Sequence, residues 1–135
     1  MNLFSFLAAT GISLPSYGNV TYVTKGSDVS LVWTYDFGVG AIIGLKQWLF
    51  INIRRSIDPT LLIVLNGGTS TIDSKSPFKN IDATEPGTLV LKNVNIDHNG
   101  TYRFLVNVAG VFPTSASDIL VIILGKKLLS FFVWL

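Results

Sequence analysis

The chain has 135 residues, a net charge of +2, 49% hydrophobic and only 13% charged residues. That length supports one domain with a single filled core, and the composition is too apolar for a disordered segment. The absence of cysteine excludes thiol catalysis, zinc–thiolate sites and iron–sulfur clusters. The basic residues are too dispersed to form the stripe that nucleic acid requires.

Residues 1–15 open on a short apolar core, Leu3-Phe4-Ser5-Phe6-Leu7, followed by small residues but preceded by no basic segment. This half-signal is read as a signal-peptide remnant or, equally, as an N-terminal extension that starts a fragment or forms an N-terminal strand. Asn19–Thr24 alternates and is closed by the turn Lys25-Gly26-Ser27. Val29, Leu31 and Trp33 form one face of the next strand by the period-two rule. The glycine-rich stretch from Asp36 to Gly44 reads as a loop. Leu45–Ile53 is a longer strand ended by Arg54-Arg55 and an Asp58-Pro59 turn. Leu61–Leu65 is a brief strand closed by Asn66-Gly67-Gly68, a hairpin signal. The polar stretch from Ser70 to Ala83 holds at most one short edge strand, around Phe78–Ile81.

Thr88–Leu91 and Thr101–Val108 flank the turn Asp97-His98-Asn99-Gly100. Ala109–Pro113 is a loop and Asp118–Leu124 the last strand. Residues 125–135 form an apolar tail. Its run Leu128–Leu135 is far short of the roughly twenty residues of a spanning helix, and Lys126-Lys127 separates it from the preceding strand, so it reads as a truncated membrane segment or the start of another domain. No window of helical length keeps a 3.6-residue period. Eight or nine short strands at this spacing indicate a β-sandwich.

The stretch Asp97-x-x-Gly100-x-Tyr102-x-Phe104, after Leu89-x-Leu91-x-x-Val94, resembles the E–F corner of an immunoglobulin V-set domain, in which the Tyr hydroxyl bonds back to upstream backbone. Val29-x-Leu31-x-Trp33 is similar to strand B and Lys46-Gln47-Trp48-Leu49-Phe50 to strand C. The likeness spans residues 16–124 and implies an all-β, Greek-key immunoglobulin-like sandwich of the variable type, with two antiparallel sheets. The chain departs from that pattern at both cysteine positions, which hold Trp33 and Phe104. The expected core therefore contains Trp33, Trp48, Leu91, Asp97, Tyr102 and Phe104, with the rings standing where relatives carry a disulfide. The resemblance also implies a basic partner for Asp97, for which Lys79 is the candidate.

Asn19-Val20-Thr21 and Asn99-Gly100-Thr101 are glycosylation sequons, and Asn99 falls on the expected E–F turn, where a glycan would be exposed. His98 is the only histidine. Without a second ligand or a nucleophile it supports neither a metal nor acid–base chemistry, and it reads as a solvated turn residue. The acidic residues are scattered, and no glycine loop carries the Lys-Ser/Thr of a phosphate cradle. No enzyme activity, metal or cofactor is implied.

The V-set resemblance implies an extracellular or cell-surface recognition module. Its partner would be a protein, either a second copy or another immunoglobulin-like domain, met through the B–C and F–G loops or the G-F-C face. Tyr35, Phe37 and Phe112 in or beside those loops, and Arg54 and Arg55 at the C–C′ bend, are the candidate contacts. Membrane anchoring is expected at or beyond the C-terminal end. Two other readings stay open: a structural spacer unit of a longer chain, and a truncated receptor fragment.

Overall fold

Alternating apolar residues make a strand wherever one face is buried. In the computed structural model, which describes residues 11–14, 18–52, 54, 58–111 and 114–125, there are eleven strands, most of them of this kind. One sheet runs β2 (Val20–Thr24), β11 (Ser115–Leu124), β10 (Gly100–Val108), β5 (Ile43–Ile51), β6 (Thr60–Asn66), β7 (Thr69–Ile72). A second sheet, β3 (Val29–Val32), β9 (Thr88–Leu91), β8 (Ile81–Thr84), packs across from it. The short strands β1 (Gly11–Ser13) and β4 (Thr34–Asp36) pair with each other. All pairings are antiparallel except β2 on β11, which is parallel.

β1 falls in the N-terminal stretch for which a strand is one of the open readings; residues 1–10 and 15–17 and the tail 126–135 lie outside the described residues. Two boundaries differ from expectation. The polar stretch from Ser70 to Ala83 holds two strand segments, β7 and the start of β8, and the Phe78 region is a turn. The expected strand through Trp33 is broken there, because the chain leaves β9 and goes on to β1.

Trp33, Trp48 and Phe104 are fully buried between the sheets. The Phe104 ring centroid lies 5.6 Å from that of Trp33 and 5.1 Å from that of Trp48. Both indole N–H groups are buried without a hydrogen-bond partner. Gly87 is required beside them: a Cβ there would stand 2.7 Å from the Trp33 carbonyl oxygen and 3.2 Å from Phe104.

At the corner, the buried Tyr102 hydroxyl donates to the His98 carbonyl at 2.6 Å, and burial raises its pKa well above 10.0. Gly100 sits at φ +156°, where a Cβ would lie 2.7 Å from the Phe50 ring. The preceding residues Ile96–His98 form a 3₁₀ turn, η1, closed by a reciprocal capping box. In it the Asn95 side-chain oxygen accepts from the Asp97 N–H at 2.8 Å, and the His98 Nδ1 accepts from the Asn95 N–H at 3.0 Å.

His98 is thus not a solvated turn residue. It is 7% exposed and stacks on Phe78 at 4.2 Å. Its neighbour Asp97, expected in the core, is exposed: one turn of 3₁₀ helix directs adjacent side chains apart, and the aromatic ring takes the inner position. Lys79 does not pair with Asp97. Its Nζ donates to the carbonyls of Asp73 and Ser74 at 3.4 and 3.2 Å.

Because Nδ1 accepts a hydrogen bond, the folded state needs a neutral imidazole. Burial lowers the His98 pKa from its ordinary 6.5, more than the Asn95 backbone and the nearby Asp97 charge raise it. The unfolded chain therefore binds a proton where the folded chain resists one, and stability that is complete above pH 6.5 is lost as the pH falls toward the folded pKa. Thermal unfolding at a series of pH values from neutral down to about 5 should show a falling midpoint. His98→Gln, whose side-chain oxygen can keep the capping bond without titrating, should flatten that slope. An equal slope in the variant would show that other groups carry the effect.

Candidate partner-binding face

Inward positions of β10 alternate with the outward residues Thr101, Arg103, Leu105 and Asn107, and β5 likewise turns Leu45, Gln47, Leu49 and Ile51 outward. Register carries this outer face across the sheet: Leu105 stands opposite Gln47 and Ala116, Arg103 opposite Leu49 and Asp118, and Leu49 opposite Leu61. A bulge at Leu62 lets both Leu62 and Ile63 point to the core, and Leu61 and Val64 remain outward.

The outer face of a solvated antiparallel sheet is normally polar. Here Leu49, Ile51, Leu61, Leu105 and Leu120 are half-buried, and Tyr22, 64% exposed, extends the surface onto β2. Among the outward positions of β5, β6, β10 and β11 the charged residues are Arg103 and Asp118, and they neutralise each other. Arg103 Nε and Nη2 donate to the two Asp118 oxygens at 2.8 and 3.0 Å, and this bond raises the Arg103 pKa. Sequence reasoning did not single out these residues. The available signal was the second apolar row of each strand, which reads in isolation as strand propensity.

No protein-family model and no curated protein matches the chain in sequence. Solved structures do match in shape. A chicken TCR chain superposes with a TM-score of 0.67 at 13% identity, over 86% of this chain and 50% of that one. Murine CRIg superposes with a TM-score of 0.64 at 16% identity, over 86% of this chain and 97% of that one. A chain from a structure on T cell specificity and activation by the bacterial superantigen toxic shock syndrome toxin-1 gives 0.64 at 14% identity, over 84% and 100%. The fold is the immunoglobulin V-type fold.

In V-type terms the apolar surface is the outer G-F-C face, and the β4–β5 and β10–β11 loops are the B–C and F–G loops, joined here by the Ala109 N–H donating to the Ile42 carbonyl at 3.0 Å. Of the aromatic residues expected to contact a partner from these loops, Tyr35 and Phe37 are directed elsewhere. Tyr35 is half-buried with its ring 6.3 Å from Phe104, and Phe37 packs 6.0 Å from Tyr35 against the core. Both cap the sandwich, because an aromatic next to a ring cluster gains more from burial than from exposure. Arg54 is exposed at the opposite end, in the β5–β6 turn. Arg55 and Phe112 lie outside the described residues.

The two sequons differ. Asn19 is exposed at the entry to β2. Asn99 is half-buried, and its side-chain oxygen accepts from the Ile123 N–H at 3.0 Å, tying the corner to β11.

A second charged pair joins the sheets. Lys46, on the inner face of β5, is 4% exposed. Its ammonium pairs with Glu85 from the β8–β9 turn and lies 5.1 Å from the Tyr35 ring centroid. Burial works to lower its pKa, but the bonds to Glu85 and Tyr35 outweigh it and leave it raised.

Proposed function

We propose that this V-type domain is a protein-recognition module whose outer G-F-C face pairs with the like face of another V-type domain, the first candidate being a second copy of this chain. The observation that carries the reading is an outer sheet face on which Leu49, Ile51, Leu61, Leu105 and Leu120 stand among uncharged polar residues, its charged pair Arg103–Asp118 being internally neutralised. Burying such a surface gains the hydrophobic term without stranding an unpaired charge, and apolar patches of this kind mark interfaces. The recognition role is in keeping with the TCR and CRIg domains that share the fold, though fold alone never names a ligand.

An extracellular setting, with anchoring at or beyond the C-terminal end, belongs to the same reading. It rests on the signal-like residues 1–15, the tail 125–135 and the sequons, of which the exposed Asn19 is the better glycan acceptor.

Sedimentation equilibrium over a range of concentrations tests the pairing. The chain should self-associate, and Leu105→Asp or Leu49→Asp should weaken association by at least about thirtyfold, the effect of a 2 kcal/mol hot spot. The melting temperature should stay near that of the unsubstituted chain. A chain that remains monomeric at every concentration would overturn pairing with itself.

A further inference from the structure

The end of the sandwich remote from the β4–β5 and β10–β11 loops holds a cleft of about 610 Å³ between the β5–β6 turn, the β7–β8 connection and η1. This volume lies within the range of sites for small molecules, roughly 300–1,000 Å³. The cleft is open because Lys79 turns away to backbone carbonyls and no ion pair ties it to Asp97 across the gap. Phe78, 7% exposed, lines it between His98, stacked on its ring at 4.2 Å, and Phe50, which meets it edge-on at 5.0 Å.

His98 supplies the decisive group. Its Nδ1 is occupied as an acceptor, so the neutral ring carries its proton on Nε2. Among the described residues that N–H has no hydrogen-bond partner, and the residue, 7% exposed, lines the cleft. Unlike the two indole N–H groups it is not sealed from solvent, so it is a donor open to an acceptor placed in the cleft.

The rim sets the chemistry of what binds. Lys79, Lys92, Asp58 and Asp97 line the cleft together with Asn80, Asn93 and Asn95. Burial keeps His98 neutral near pH 7. A phosphate or sulfate would meet the aspartates and a polycation the lysines. A neutral ligand with adjacent hydroxyls, each both donor and acceptor, matches a lining of amides, carboxylates and ammoniums.

We propose that this cleft binds a neutral saccharide of one or two rings, with a sugar oxygen accepting from the His98 Nε2–H and the Asn80 amide bonding a neighbouring hydroxyl. The site is separate from the G-F-C face and does not depend on it.

Titration of the isotope-labelled chain with glucose, galactose, mannose, N-acetylglucosamine, lactose and maltose, followed by proton–nitrogen spectra, tests the proposal. Sodium sulfate and sodium glutamate serve as comparison ligands. At least one sugar at millimolar concentration should give saturable shifts at the His98 Nε2–H and the amides of Asn80 and Asn95. Asn80→Ala, an exposed substitution, should weaken that binding about tenfold, the loss of one hydrogen bond, at an unchanged melting temperature. The proposal is overturned if no sugar gives saturable shifts, if sulfate or glutamate gives them instead, or if Asn80→Ala leaves the affinity as it was.

Discussion

Phe104→Ala should cost about 3–5 kcal/mol, the usual loss when a buried aromatic is truncated. Against a whole-domain stability of about 5–15 kcal/mol, that is enough to leave the chain partly unfolded at ambient temperature. Phe104 is the ring that touches Trp33, Trp48 and Tyr35 at once, so its removal strips a neighbour from each and opens a void between the sheets. Trp33→Phe provides the contrast. It shortens one ring but also removes an indole N–H that is buried without a partner, a defect that costs about 1–3 kcal/mol. The two effects oppose each other, and Trp33→Phe should be much milder than Phe104→Ala. Urea unfolding of the three proteins decides the matter. A Phe104→Ala midpoint equal to that of the parent chain would show that the sheets are not held together at this cluster.

Glu85→Gln should destabilise by about 2–4 kcal/mol, because it leaves the Lys46 ammonium buried with its counter-charge gone. The figure sits toward the lower part of the range for buried pairs since Glu85 is itself half-exposed, at 49% against 5% for the lysine side chain. Lys46→Met keeps the volume and removes the charge, and should be neutral within about 1 kcal/mol. In the Lys46→Met background, Glu85→Gln should then cost almost nothing, since the two residues form one unit. Denaturant unfolding of the four proteins in this cycle measures the coupling. Equal effects of Glu85→Gln in both backgrounds would mean that the pair is not an inter-sheet clamp. The clamp joins β5 to the β8–β9 turn, so in a chain without a disulfide it is a polar link between the two sheets beside the aromatic one.

Much of the sandwich is legible from period-two alternation, because strands with one buried face write that face into every second residue. β5, β9 and β10 are of this kind, and the Tyr102 corner is marked by its own turn chemistry. β7 is not, since Thr69–Ile72 is exposed along its whole length and an edge strand with no buried face imposes no pattern. The same limit hid the partner-binding face. Leu49 and Leu105 look like strand residues in the sequence, and only the register that sets them beside Leu61, Ala116 and the Arg103–Asp118 pair turns them into a surface.

At the turn before β10, residue types announced a corner but not which of Asp97 and His98 faces inward. That choice was made by the Asn95 cap and the Phe78 ring, contacts that chain order does not encode. Lys46 and Glu85, separated by 39 positions, follow the same rule. Local alternation and turn residues determined by themselves that this chain builds strands, a corner and an aromatic interior without sulfur. Which side chains meet across the gap, which cleft opens and which face stays uncovered were decided only when the two sheets closed on each other, because those contacts depend on distances in space and not on spacing along the chain.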